Sequence, residues 1–293
     1  MRFSSIRLVN SGSPERARPQ TDTENAMPAD SSDKRFANTL ARGLTILRAF
    51  RPTDDGLGNL EISERTGIPR PTVSRLTFTL CALGYLTHGR RHDKYRLGPA
   101  ALALGNIAAA SFAFVEIASP VMQRLADATG TLTAISIKDD RRMLLTRAWR
   151  PVNSSSIWLD VGYRMPLHTS SSGKAYLGAL SDEEFARFLE SRGDEPEDLL
   201  AEFAAIRTAA HGEILAEGYT QVRGEDRFSE TINAAAVPYR PSDLGEPVAF
   251  LASSTSQQLS DQRISEEVGP ALAEAVAEVR RMTGQQSALV VKG

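Results

Sequence analysis

The 293 residues suit about two folded domains, and 41% hydrophobic with 24% charged residues exclude a fibrous or wholly disordered chain. The single cysteine, Cys81, excludes an intrachain disulfide, and the four scattered histidines (His88, His92, His168, His211) show no spacing that would build a metal centre. The formal charge of −2 hides a partition: residues 1–33 carry −1, residues 34–97 carry +7 and residues 98–293 carry −8. A basic module joined to an acidic one is the asymmetry expected of a nucleic-acid-binding domain with a separate second domain.

Residues 1–33 are polar, rich in Ser, Pro, Asp and Glu, and aperiodic, which predicts a disordered tail. They contain no apolar core of signal-peptide length, and Met27 serves as a start as well as Met1 does. Residues 39–50 are predicted helical, with Leu40, Leu44, Ile46 and Leu47 as apolar members, and residues 51–57 form a turn. Residues 59–67 make a second helix ending at Gly67, a good left-handed cap. After Ile68 and Pro69, residues 70–83 start a third, with Pro71 in the first turn, where its missing N–H costs nothing. Two short helices joined by a tight Gly-containing turn are a helix-turn-helix, whose second helix lies in the DNA major groove. Val73, Leu76, Leu80 and Leu83 form the apolar stripe of that helix, with Cys81 beside it as a small buried hydrophobe. Arg70, Thr72, Ser74 and Arg75 point elsewhere and are the residue types that reach phosphates and base edges. Residues 85–88 and 95–97 read as strands around a turn at 89–94, which makes a wing behind the recognition helix. Arg90, Arg91 and Lys94 at its tip would sit over phosphate or a minor groove.

Residues 97–115 hold 19 residues without a charge, the length of a membrane span, but seven are Ala, so the stretch is too weakly apolar for insertion. A small-residue linker helix over 98–111 is expected instead, with Leu102, Leu104, Ile107 and Phe112 as a seam to another chain. A helix at 115–129 precedes paired strands at 131–138 and 142–149. Helices follow at 172–180, 182–189 and 199–217, then strands at 219–222, 233–239 and 247–253. A final helix at 262–282 is interrupted near Gly269-Pro270. Mixed helices and strands in one acidic region predict an α+β sensor domain on an antiparallel sheet.

Several motifs then converge. They are Leu40-Ala41-Arg42-Gly43-Leu44, Gly67-Ile68-Pro69-Arg70-Pro71-Thr72, Leu83-Gly84-Tyr85-Leu86 and Tyr95-Arg96-Leu97-Gly98. Further on come the run from Pro166 to Ala175 (Pro-Leu-His-Thr-Ser-Ser-Ser-Gly-Lys-Ala) and Glu217-Gly218-Tyr219. In this order and spacing the chain resembles the isocitrate-lyase-regulator (IclR) family of bacterial transcription factors over about residues 36–284. The resemblance implies a winged helix-turn-helix at 34–97, a linker helix at 98–113 and a GAF-like α/β effector-binding domain at 114–285, flanked by tails at 1–33 and 286–293. It implies a homodimer or homotetramer that binds double-stranded promoter DNA and responds to a small organic or aromatic acid. Arg42 joins the expected DNA contacts. Whether binding represses or activates is open.

The serine run is the expected effector site. Ser170, Ser171 and Ser172 offer hydroxyls, and the helix that follows offers free N–H groups at its positive end, which suits a carboxylate. Thr169 and Gly173 belong to the same loop. The resemblance places Asn233 and Ala252 or Ser254 across the pocket. Arg223 stands where the family often has an acid, and a cation there would favour an anion. The plain alternative is a serine helix cap. Two catalytic readings compete with it. A P-loop needs Gly at His168 and a hydroxyl at Ala175, and both are absent. Ser171 and Lys174 match a Ser-x-x-Lys hydrolase spacing, without a companion motif. Trp149 and Trp158, with Ile157 and Leu159, suit core packing or a subunit contact better than a pocket wall. The expectation is a cytoplasmic regulator with no catalysis, no metal, no cofactor and no membrane, the hydrolase being the alternative.

Overall fold

A computed structural model describes residues 35–51, 53–89, 93–152, 157, 159–193 and 195–285. The tails expected at 1–33 and 286–293, together with Arg90, Arg91 and Trp158, lie outside the described residues.

The first part is three helices and a hairpin: α1 Asn38–Arg48, α2 Asn59–Thr66, α3 Arg70–Ala82, β1 Leu86–His88 and β2 Tyr95–Leu97. Gly58 N–H donates to Glu61 Oε2 at 2.7 Å and so caps the start of α2. Gly67, at φ 69°, ends α2 in the left-handed conformation, which Gly adopts without a Cβ clash. Ile46, Ala49, Leu57, Ile62, Ile68, Val73 and Leu86 form a small core, with Leu76, Leu80 and a half-buried Cys81 against it. Leu83, Leu40 and Leu44, expected inside, are instead 61%, 63% and 51% exposed, because no described element covers that side of the helices. Arg65 holds the turn before α2 through paired bonds to Asp54 at 2.7 and 2.9 Å.

Helix α4, Pro99–Ala110, buries none of its residues. It meets α5, Ala113–Thr129, at a bend of 85°, and no single described helix is long and apolar enough to cross a membrane.

Beyond α5 lies one antiparallel sheet in the order β5-β4-β3-β8-β7-β6. Its strands are β3 Leu132–Asp139, β4 Arg142–Trp149, β5 Arg164–Pro166, β6 Thr220–Gln221, β7 Ile232–Tyr239 and β8 Val248–Thr255. Helices α6 Ser171–Gly178, α7 Asp182–Glu190 and α8 Glu197–Glu217 cover one face. Helix α5, the short α9 Asp261–Arg263 with its π-turn at Ile264–Val268, and α10 Gly269–Met282 lie on the other. The expected interruption of the last helix is that π-turn, immediately before Gly269. Each sheet face has its own core. Met143, Leu145, Ala249 and Leu251 belong to the α6 side, whereas Phe250, Ala252, Val237 and Tyr239 belong to the α5/α10 side. This is the period-two alternation of a sheet buried on both faces.

Candidate functional site

The recognition helix presents its polar residues as the sequence predicts. Arg70, Ser74 and Arg75 are exposed and Thr72 is half-buried. The guanidinium groups of Arg70 and Arg75 make no hydrogen bond or ion pair among the described residues. Arg42, on α1, is half-buried, and its Nε has no hydrogen-bond partner among the described residues. Lys94 differs from expectation. It does not stand at the wing tip but pairs with Glu61 at 3.2 Å and donates to Gly56 O at 3.4 Å, so its charge braces the wing to α2. Arg96 is likewise paired, with Asp55.

The second site is a small cavity, about 20 Å³, on the α6 side of the sheet. Leu159, Met165, Val222, Phe228, Ile232 and Leu251 give it apolar walls, and Thr169, Ser170, Ser171, Ser172, Ser253 and Arg227 add polar groups. The serine loop is therefore at the cavity, but its hydroxyls divide into two kinds. Ser170 Oγ accepts from Gly173 N–H at 3.1 Å and donates to Pro166 O, which is an N-cap. Ser171 Oγ donates to Ala234 O at 2.7 Å and accepts from Val222 N–H at 3.3 Å, stitching α6 to the sheet. The hydroxyls of Ser172 and Thr169 make no hydrogen bond among the described residues, and neither do the backbone N–H groups of Ser171 and Ser172. These are the donors that a helix start leaves for an anion. Gly173 is structural: a Cβ there would come within 2.1 Å of Leu167 O, so only Gly lets α6 begin this close to the preceding loop.

Strand parity revises the far wall. The side chains of Ala252 and Ser254 turn to the other sheet face, Ala252 into the α5/α10 core and Ser254 Oγ to Gln258 Oε1 at 2.9 Å. Leu251 and Ser253 occupy the cavity wall instead. Asn233 reaches the cavity lining, yet its Nδ2 already donates to Leu259 O at 3.0 Å and Asp261 Oδ1 at 2.8 Å. The cation is also displaced from its expected position. Arg223 is exposed and lies against the side-chain amide of Gln221, whereas Arg227 lines the cavity with its side chain 20% exposed. Arg227 Nε donates to Gly224 O at 3.0 Å, and its nearest carboxylate, Asp261, is 3.6 Å away. Sequence reasoning missed Arg227, since nothing in its spacing separates it from Arg223.

Ser171 and Lys174 each have partners within the fold. The proton of Ser171 is committed to Ala234 O, and Lys174 Nζ is held by Glu213 at 2.5 Å and Gln221 O at 3.1 Å. Trp149 lies in the α5/α10 core and donates from Nε1 to Ser119 Oγ at 2.8 Å. Leu159 does line the cavity.

An ionic link between described residues joins the two parts of the chain. Arg48, at the end of α1, donates to Asp139 Oδ2 at 2.6 Å, and Arg164 of β5 donates to the same oxygen at 3.2 Å. Met165, next to Arg164, lines the cavity.

Comparison with known proteins agrees with this architecture. The family model for the IclR helix-turn-helix domain matches residues 39–89, and that for the bacterial transcriptional regulator IclR C-terminal region matches residues 107–281. The transcriptional regulator TsaQ1/TsaQ2 of Comamonas testosteroni is 29% identical over 84% of this chain and 88% of its own length. The Pca regulon regulatory protein of Pseudomonas putida is 30% identical over 78% of this chain and 77% of its own. An IclR family regulator from Brucella abortus superposes with TM-score 0.65 at 32% identity, covering 90% of this chain and 99% of that one. An IclR homologue from Microbacterium hydrocarbonoxydans, solved in complex with 4-hydroxybenzoate, shares the fold at TM-score 0.62 and 21% identity, over 83% of this chain and 99% of its own. The chain therefore belongs to the IclR family of DNA-binding transcriptional regulators.

Proposed function

We propose that this regulator senses a small monocarboxylic acid, aromatic in preference, at the cavity beside α6, which widens to admit it, and that occupancy alters its hold on a promoter. One observation carries the reading. A half-buried guanidinium, Arg227, and unpartnered donors at Thr169, Ser171 N and Ser172 converge on a space otherwise walled by apolar side chains. Apolar walls with a few convergent polar groups are the usual form of a small-molecule site, and Arg is the side chain best matched to a carboxylate. The 4-hydroxybenzoate bound to the Microbacterium hydrocarbonoxydans homologue supports the aromatic class. The effector set becomes Thr169, Ser172, Arg227 and the backbone N–H of Ser171, with Ser170, Gly173, Asn233 and Ser253, whose hydroxyl donates to Asn233 O at 2.9 Å, holding its frame.

On the DNA side, Arg70, Thr72, Ser74 and Arg75 enter the major groove, while Arg42 and the wing residues Arg90 and Arg91 meet the backbone. A dimer or tetramer forms through α4, whose Leu102, Leu104 and Ile107 are 67%, 57% and 67% exposed. The protein works in the cytoplasm and catalyses no reaction.

Calorimetry with the full-length protein against benzoate, 4-hydroxybenzoate, phenylacetate and short 2-oxo acids tests the pocket. The expected result is saturable binding of one class, lost in Arg227→Ala. No binding by any of them, or equal binding by wild type and Arg227→Ala, would reject it.

A further inference from the structure

Helix α3 turns Val73 and Thr77 fully inward and Leu76 and Leu80 partly so. Its outward strip is Pro71, Ser74, Arg75 and Phe78, all exposed. These positions are i, i+3, i+4 and i+7, the spacing at which successive helix turns stack side chains along one line. Phe78 is 76% exposed, the most exposed large apolar residue of the three-helix module. Its neighbours on the strip are a hydroxyl and an arginine without a partner among the described residues, and α3 contains no Asp or Glu.

A phenyl ring beside an unpaired guanidinium could meet a protein or a nucleic acid. A protein partner that covered the ring would also bury the Arg75 charge, at a desolvation cost no carboxylate on α3 offsets. A polyanion is instead complementary to the whole strip, and to the +7 module that carries it. The other exposed large apolar residues of this part of the chain sit at Phe36, on α1, at Leu60 of α2, at Leu97 of β2, on α4 and at Leu83, which is about a third of a turn around α3 from the strip.

We propose that Phe78 is a specificity-determining residue whose ring packs on the C5-methyl group of a thymine in the operator's major groove. Thymine is the base whose major-groove edge presents a methyl group, and an aromatic ring is a suitable contact for it. From Arg75 to Phe78 the helix rises ~4.5 Å. A duplex rises ~3.4 Å per base pair. The thymine therefore lies one to two base pairs from the base that Arg75 meets. The inference rests on α3 as the groove-entering helix, and the test separates the two.

The experiment selects duplexes from a random library with the full-length protein. It then replaces each thymine of the selected half-site by deoxyuridine, which removes only the methyl group. At one thymine the replacement should weaken wild-type binding about fourfold to fifteenfold, the effect of losing one or two buried methyl-sized contacts. Phe78→Ala should be insensitive to that replacement and select no base there, while keeping the preference that Arg75 imposes. Phe78→Leu should retain part of the sensitivity. Three results would overturn the proposal: no methyl effect at any thymine, an equal methyl effect in wild type and Phe78→Ala, or loss of oligomers by Phe78→Ala with unchanged base preference, which would assign the ring to a second copy. If Arg75→Ala leaves selection unaltered, α3 does not read the groove, and the proposal falls with that reading.

Discussion

The hydroxyl of Ser171 donates to Ala234 O and accepts from Val222 N–H, both deep in the fold. Removing it leaves buried backbone groups unpaired, so Ser171→Ala should lower unfolding stability by about 1–3 kcal/mol in denaturant titration. Its neighbour Ser172 has no such partner among the described residues, and Ser172→Ala should leave stability within about 0.5 kcal/mol of wild type. Acid binding should distinguish the pair in the opposite sense. Hydrogen bonds to charged groups contribute about 1.5–3 kcal/mol, so Ser172→Ala should bind the effector roughly tenfold to a hundredfold more weakly. A second residue-scale expectation concerns pH. The carboxyl of Glu184 lies below its ordinary range, first because Arg240 donates to it and also because Ser181 N–H does. A carboxyl depressed in the folded state contributes stability that is present above about pH 4.3 and lost as pH falls through the folded value. Glu184→Gln should therefore lower Tm at pH 6 and converge on wild type near pH 3. A constant gap across that range would show that the charge is not the cause. The serine loop was legible in the sequence because polar runs before a helix are conspicuous. Whether each hydroxyl serves the fold or the cavity was not, since that depends on the strand across from it. The choice of Arg227 over Arg223 has the same origin.

Most elements follow from periodicity and caps: Gly67, Gly130 and Gly218 each end a helix in the left-handed conformation where the pattern stops. Strand β5, three residues long, gave no periodic signal and became visible only through its pairing with β4. Parity was the harder loss. In β3 and β4 the register steps from Ile135 opposite Arg147 to Ser136 opposite Leu145, which leaves Thr146 as an extra residue. The bulge puts Met143 and Leu145 on the cavity side and Trp149 on the other. No composition rule reveals such a shift. Ala252 and Ser254 were likewise expected one residue away from the positions that line the cavity, and a one-residue step in a strand exchanges faces completely. Helix α4 supplies an element-scale test. Its leucine and isoleucine side chains are exposed, and the helix buries none of its residues within a single chain. Light scattering after size exclusion should show a dimer or tetramer at micromolar concentration, and Leu102→Glu with Ile107→Glu should shift it to monomer. A wild-type monomer would sever the seam from the account.

At the scale of the molecule, the charge partition separates what touches DNA from what senses. The Arg48–Asp139–Arg164 cluster bridges the two. Asp139 also neutralises the mostly buried Arg164, but Arg48 is half-exposed, so its own pairing contributes little stability and Arg48→Ala should leave Tm nearly unchanged. Its expected effect is on coupling, since Arg164 adjoins Met165 in the cavity wall. With Arg48→Ala the acid should bind as tightly as to wild type yet change DNA affinity less, because an effector shifts an equilibrium only through its differential interaction with two states. The most direct measurement is fluorescence anisotropy of the full-length protein on its library-selected duplex, with and without the acid that calorimetry identifies. The account predicts binding far tighter than to a scrambled duplex, weakening steeply with salt, and shifted by the acid in wild type but not in Arg227→Ala. Equal affinity for selected and scrambled DNA, or an acid that saturates the cavity without moving DNA affinity, would contradict it.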